Sequence, residues 1–485
     1  MATLIKQKPL YTTLPVGQQI IFTVLNTIII QTYWNVKYLA EVHISANPIN
    51  LSVADDLVAT FKTTPNNKGV GIFDFQPLLE GYVSAQHLGT ATGNSSRYKG
   101  VGYSLDTPHP IHLIDKYARN QKGIKYFAIQ FKVEGATSAT APVSTISGEA
   151  VNSVDYLFFN GVLQLENYLT LGAINSSGSL IAGQNYGFNL DANLFYPGSS
   201  TTPSKFLTNA PTTQYANIDD YGTFGFLNFL PNGTDRMRQI FLVYYNSAGA
   251  SIGSESVTQT WSNGGQTTPS SYAAVKYLFA GIFPGNLRNW SSTFQALVTA
   301  GTIQGGYYTI QPESEYGDLQ QMYTIHVNCP NLKEYEPIRL TWLNQWGAWD
   351  YYTFTMKSVR STSTNRTTYT QMTGSWNESR YAIDGYKGGK KNFRVNSTER
   401  IQVNSDFLTE ADAVWFEELI NSQEVYILNG YDSTESAPYN TMTNKYVEPV
   451  LVTTSSYVRK TLANDKLIQY TFELERNKTQ KIHTA

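Results

Sequence analysis

The chain has 485 residues, with 35 Lys and Arg against 37 Asp and Glu, so its net charge is −2 and its charged fraction 15%, where a soluble domain carries roughly 25%. Aromatic residues reach 13%, including 34 Tyr, which excludes a disordered chain, and the charge balance excludes a nucleic-acid binder that works by bulk positive charge. Cys329 is the single cysteine, so no disulfide framework exists within the chain.

At ~150 residues per domain the length predicts about three domains, divided here as 1–168, 169–330 and 331–485. Tyr, Thr, Asn and Gly outweigh helix formers, which points to a mainly β protein of several antiparallel β-sandwich domains. Near the N-terminus, Ile20 to Ile30 (IIFTVLNTIII) follows Lys6 and Lys8 but is interrupted by Thr23, Asn26 and Thr27. It is too short to span a bilayer and no small-x-small cleavage site follows it. The segment is expected to form two strands around Asn26-Thr27, with Met1 retained.

Trp34 to Ile44 (WNVKYLAEVHI) and Ile124 to Val133 (IKYFAIQFKV) alternate apolar and polar residues as half-buried strands do. Residues 135–148 (GATSATAPVSTISG) read as a loop or linker, and a weaker break falls near Leu171 to Gln184. Between 136 and 250 there are three basic and seven acidic residues, the poorest stretch in charge. Either a neutral Ser/Thr/Asn surface or burial against neighbouring subunits accounts for that. Gln239 to Tyr245, Asn246-Ser-Ala-Gly and the residues from Ala250 predict strand, turn and strand.

In the last third, Ile338 to Asn344, the turn Gln345-Trp-Gly-Ala and Trp349 to Met356 predict a hairpin. Leu408 to Asn421 (LTEADAVWFEELIN) predicts the one clear helix, with Thr409 as its cap and Glu410 and Asp412 at the positive end of the dipole. Leu408, Ala411, Trp415 and Leu419 form its buried stripe. Strands are expected at Val425 to Leu428, Tyr446 to Thr454 and Leu467 to Glu475, giving a sandwich with one packed helix.

Chemistry is sparse. His109 and His112 (PHPIH) have a metal-compatible spacing but no third ligand nearby, so a turn between prolines is expected. Cys329 before Pro330 reads as a buried thiol. Asp219-Asp220, and Glu334 with Glu336, are the visible carboxylate pairs, but neither sets the ~5–9.5 Å separation that glycoside hydrolysis needs. No G-x-S-x-G, P-loop or H-E-x-x-H occurs, so neither an enzyme nor a cofactor is expected. N-x-[ST] triplets at Asn94, Asn175, Asn232 and Asn377 fit chance in so Asn-rich a chain. One basic cluster stands out: Lys387, Lys390, Lys391 and Arg394 in GYKGGKKNFR. It reads as a glycine-flexed loop tip that either touches nucleic-acid backbone or a partner, or is simply solvated. Residues 331–485 balance at 18 basic and 18 acidic, so its field is local.

Several phrases carry a resemblance: Thr64 to Phe75 (TPNNKGVGIFDF) with Leu78 to Val83 (LLEGYV); Lys205 to Pro211 (KFLTNAP) with Asp220 to Asn228 (DYGTFGFLN); Ile338 to Phe354 (IRLTWLNQWGAWDYYTF); and Phe407 to Leu419 (FLTEADAVWFEEL), followed by a strand with Pro449-Val450. In this order they resemble virion structural proteins of tailed bacteriophages of Bacteroidetes-like or marine hosts. The C-terminal sandwich with its helix is similar to the fold of tail tubes and of distal-tail and baseplate rings. The resemblance implies a self-assembling tail or neck subunit, in a homo-oligomeric ring of six-fold symmetry or a multiple. Its partners would be other virion proteins, with at most transient contact with passing DNA and none with membrane. It would be made in the host cytoplasm and reside in the virion. The alternative is a carbohydrate-binding receptor-recognition protein of the tail, with Trp346 and Trp349 at the hairpin turn as its aromatic contacts. An embedded glycosidase ranks third.

Overall fold

The computed structural model describes residues 3–9, 12–51, 56–85, 111, 117–119, 122–162, 173–174, 180–181, 185–186, 203–228, 237–258, 273–314, 317–328, 335–375, 379–383, 385–428, 447–456, 458 and 468–476. The protein is mainly β, with several antiparallel sheets and few helices. It forms two compact units. The first is Met1–Pro330 with Leu343–Asp350 and Gly430–Asn444; the second is Asn331–Trp342, Tyr351–Asn429 and Lys445–Ala485.

The first unit begins with strands β1 (Leu4–Pro9), β2 (Thr13–Gly17) and β3 (Ile21–Leu25), helix α1 (Thr27–Thr32), then β4 (Trp34–Ser45), β5 (Leu57–Thr63) and β6 (Val70–Asp74). After α2 (Gln76–Leu79) come β7 (Tyr117–Arg119), β8 (Ile124–Ala136), β9 (Ser144–Thr145), β10 (Val151–Asn152) and β11 (Tyr156–Val162). Strands β4 and β8 are the alternating segments of the sequence, and they pair antiparallel with Tyr38 opposite Val133 and Val42 opposite Ile129. Their apolar faces close on Phe22, Phe73, Phe75 and Tyr156, whose rings lie 5.5–6.4 Å apart around Phe131 and one another. The 135–148 segment is not one long loop: β9 returns and pairs with the end of β8.

The expectation of two strands around Asn26-Thr27 is corrected. Only β3 is a strand, and Ile28 to Ile30 lie in α1. Asn26 caps that helix, its Oδ1 accepting from the Ile29 N–H at 3.1 Å, while its own N–H donates to the Tyr38 hydroxyl at 2.8 Å. A buried N-cap thus overrides the strand preference of three consecutive isoleucines.

Short strands β12 (Ala173–Ile174), β13 (Leu180–Ile181) and β14 (Asn185–Tyr186) lead to β15 (Thr213–Ala216) and β16 (Phe224–Leu227). Then come β17 (Met237–Tyr245), β18 (Ser251–Thr258), β19 (Tyr277–Ala280), β20 (Tyr307–Ser314) and β21 (Tyr323–Val327). A sheet of order β15-β21-β20-β17-β18 holds the expected hairpin. Its turn is built by the Asn246 side chain, which accepts from Ala248 and Ala250 N–H at 3.0 and 2.9 Å, and by Gly249 at φ +80°. Two helices stand where the sequence reading expected none: α3 (Pro284–Trp290), with Pro in its first turn, and α4 (Ser292–Thr299), capped by Ser291 onto the Phe294 N–H at 2.9 Å.

The second unit is organised by one sheet of order β23-β22-β26-β27-β28-β25-β24. Its strands are β22 (Ile338–Leu343) and β23 (Trp349–Phe354), whose facing ends Leu343 and Trp349–Asp350 are counted with the first unit, then β24 (Val359–Gln371), β25 (Gly389–Asn404), β26 (Val425–Leu428), β27 (Val447–Val452) and β28 (Thr471–Arg476). Helix α5 (Glu410–Asn421) follows Thr409, whose side chain accepts from the Asp412 N–H while Asp412 accepts the Thr409 N–H at 2.8 Å. This reciprocal box satisfies two orphan donors at once. Leu408, Trp415 and Leu419 are buried as the stripe predicts; the Ala411 side chain lies outside the described residues. Phe416 joins them and is the hub, its ring 4.8–6.5 Å from those of Tyr352, Trp415, Phe472, Trp342, Phe354 and Tyr470.

Candidate interaction site

The feature of the second unit that its own packing does not account for is the β24–β25 hairpin. Every residue of β24 from Val359 to Thr370 is exposed, as is most of β25 from Gly389 to Val395. Its sequence, VRSTSTNRTTYT against KKNFRVNST, is rich in Thr, Ser and Asn with no apolar alternation. Such residues can form a ladder while leaving both faces wet. The ladder runs antiparallel from Val359 opposite Gln402 to Gln371 opposite Gly389, with an irregularity at Thr367-Thr368. β25 pairs beyond it with β28, so β24 is the sheet's edge.

Ion pairs fix the root of this arm. Arg476 on β28 donates to both oxygens of Glu448 at 2.8 and 2.6 Å and to Glu399 on β25 at 2.8 Å. Arg360 on β24 reaches Glu336 at 2.7 Å and Glu399 at 3.5 Å. Glu448 is buried and Glu399 largely so, which gives this forked geometry more weight than an exposed pair. The network lines a cavity of about 140 Å³ bounded by Arg339, Arg360, Arg476, Glu336 and Glu448. Its lining holds three arginines against two carboxylates, and Glu399, paired with Arg360 and Arg476, brings the carboxylates of the network to three, so it reads as a structural clamp.

The outer part of the arm carries apolar side chains in solvent: Tyr386 is 76% exposed, Ile383 74%, Phe393 62%, Met372 57% and Tyr381 56%. Tyr369 and Phe393 meet edge to face at 6.5 Å. Gly388 and Gly389, at φ +93° and +77°, form the turn into β25, a conformation that glycine adopts without steric cost. The four predicted cations are therefore not all on a loop tip. Lys387 precedes the turn, its ammonium 5.5 Å from the Tyr386 ring centre, whereas Lys390, Lys391 and Arg394 belong to β25 and pair with Thr370, Tyr369 and Thr367. Lys391 donates to the Tyr386 carbonyl at 3.1 Å and Arg394 to Asn396 at 2.9 Å. Cross-strand pairing with Thr and Tyr overrides the flexibility that the glycines suggest.

Trp346 and Trp349 are core residues, 4% and 2% exposed, and this corrects their assignment as surface contacts. The Trp346 indole N–H donates to Asn209 at 3.1 Å and its carbonyl accepts the Tyr277 hydroxyl at 3.0 Å. Asn344 braces the turn by accepting from Trp346 and Ala348 N–H, both at 3.0 Å. Neither ring presents a face on which a sugar could stack. Asp219 pairs with Arg288, and Asp220 closes a turn through its N–H to Asn217 at 3.0 Å. Glu336 is held by Arg360. His109, His112, Cys329, Glu334, Asn94, Asn175, Asn232 and Asn377 lie outside the described residues. Among the described residues no group of three His, Cys, Asp or Glu could hold a metal, and no helix is long and apolar enough to cross a membrane.

Sequence reasoning missed the exposed Tyr369, Met372, Tyr381, Ile383, Tyr386 and Phe393 beside the cations. Their only signal is the company of aromatics with Lys and Arg between 366 and 394.

No known protein family and no curated protein matches the sequence. Among solved structures, a match to native Escherichia coli alpha-2-macroglobulin has 6% identity and a TM-score of 0.18, covering 83% of this chain. The match spans 22% of that protein's length.

Proposed function

We propose that the chain is a structural subunit of a tailed-bacteriophage virion, acting by assembly as a ring or adaptor in the tail or neck. The observation that carries the assembly reading is the β24–β25 arm, a two-stranded element wet on both faces whose outer part holds Tyr, Phe, Ile and Met in solvent. Exposed apolar side chains gathered in one place mark an interaction surface. The ordered phrases from Thr64 to Pro449 support its placement in a virion, and the low charge fits a surface largely covered by neighbours. Trp346 and Trp349, the aromatic contacts named for the carbohydrate-binding alternative, are buried and lend it no support. The test is electron microscopy and mass measurement of the purified protein, with peptide mapping of purified particles. A symmetric assembly present in particles is expected; a permanent monomer absent from them contradicts the proposal.

A further inference from the structure

We propose that the arm's occupant is a second copy of this chain, and that the arm docks on the acidic surface around helix α5. This rests on the assembly reading and names its partner. Residues 361–398 carry six cations, Arg366, Arg380, Lys387, Lys390, Lys391 and Arg394, against two carboxylates. Residues 405–428, which include α5, carry six carboxylates, Asp406, Glu410, Asp412, Glu417, Glu418 and Glu424, and no cation. A chain with a net charge of only −2 has thus separated opposite charge into two segments of one unit.

Both segments also expose apolar side chains. Phe407 and Val414 are about half exposed on the acidic side, opposite in charge to a surface offering Ile383, Tyr386 and Phe393. Apolar contacts inside a charged rim are the composition of a protein interface, and the opposed fields steer and orient the encounter. A nucleic-acid duplex would satisfy the cations but leave Ile383 and Met372 without apolar partners. Because the two surfaces differ, the contact is heterologous, and it repeats from copy to copy into a closed ring or an open filament.

Charge exchange tests the contact. One variant of the full chain carries Lys390→Glu and Arg394→Glu; a second carries Glu417→Lys and Glu418→Lys, which also suits the negative end of the helix dipole. Circular dichroism and melting confirm that each is folded, and sedimentation velocity at low and high salt measures association. The wild type should self-associate, more weakly as salt rises, and each variant should associate about tenfold or more weakly. Mixing the two variants should restore association, since each then offers the complement of the other. Variants that associate like the wild type, a mixture that restores nothing, or a wild type monomeric up to its solubility limit would overturn the inference. So would an arm variant that self-associates normally but loses affinity for a DNA duplex, which would make nucleic acid the partner. Variants with undiminished association in a protein that is present in particles would refute this docking and leave the virion role standing. Absence from particles would refute the role itself.

Discussion

Replacing Trp415 by Ala tests the packing that holds α5 to its sheet. The indole is 3% exposed and lies 5.0 Å from the Trp342 ring, 5.2 Å from Phe416 and 6.1 Å from Tyr352. A side chain of this kind buries ~150–250 Å², worth ~4–6 kcal/mol at ~25 cal/mol per Å². Measured aromatic truncations cost ~3–5 kcal/mol, because partial collapse offsets some of the loss. The expected destabilisation is therefore about 4 kcal/mol. Val414, its neighbour on the exposed face, is the control: Val414→Ala should change stability by less than ~0.5 kcal/mol. Urea unfolding followed by near-ultraviolet circular dichroism reads both. With a slope of ~2 kcal/mol per M, the Trp415 variant should lose ~2 M in midpoint and the control almost nothing. Equal midpoints for the two variants would refute the buried face of α5.

Three further perturbations probe other parts of the chain. Arg476→Met strands the buried Glu448 and the largely buried Glu399, so it should cost ~3 kcal/mol, and adding Glu448→Gln should recover part of it in the same unfolding assay. Gly347 sits at φ +72°, where an added Cβ would run into the Asn160 carbonyl, so Gly347→Ala should lower stability by more than ~1 kcal/mol in thermal melts. His43 is buried with neither ring nitrogen hydrogen-bonded, and burial lowers its pKa against the opposing pull of Glu41 and Asp56, with Lys132 acting in the same direction as burial. Its contribution is therefore complete above the unfolded value of ~6.5 and lost as pH falls below it, with a slope of at most ~1.4 kcal/mol per pH unit; in His43→Leu that slope should flatten when melting is followed from pH 7.5 to 5.

Helix α5 was legible because its cap, its acidic first turn and its apolar stripe all point the same way. The β17–β18 hairpin was legible through Asn246 and Gly249, whose side-chain and backbone chemistry is local. Helix α1 was not, since three isoleucines argue for a strand and the buried setting of Asn26 depends on Tyr38 across the fold. Helices α3 and α4 are too short for periodicity to reveal, although Pro284 and Ser291 mark their starts. The fate of Trp346 rests on Asn209 and Tyr277, more than sixty residues away in sequence, so local pattern could not expose its burial. The arm escaped for a different reason. A strand wet on both faces has no hydrophobic alternation to display, and two glycines made its basic residues look like a loop.

The measurement that most directly tests the proposed role is high-resolution imaging of purified phage particles combined with peptide identification. The account predicts this chain in the tail or neck as a closed ring, with the 361–398 arm of each copy against the 405–428 surface of the next. Particles that lack the chain, with the purified protein a monomer under all conditions, would contradict it.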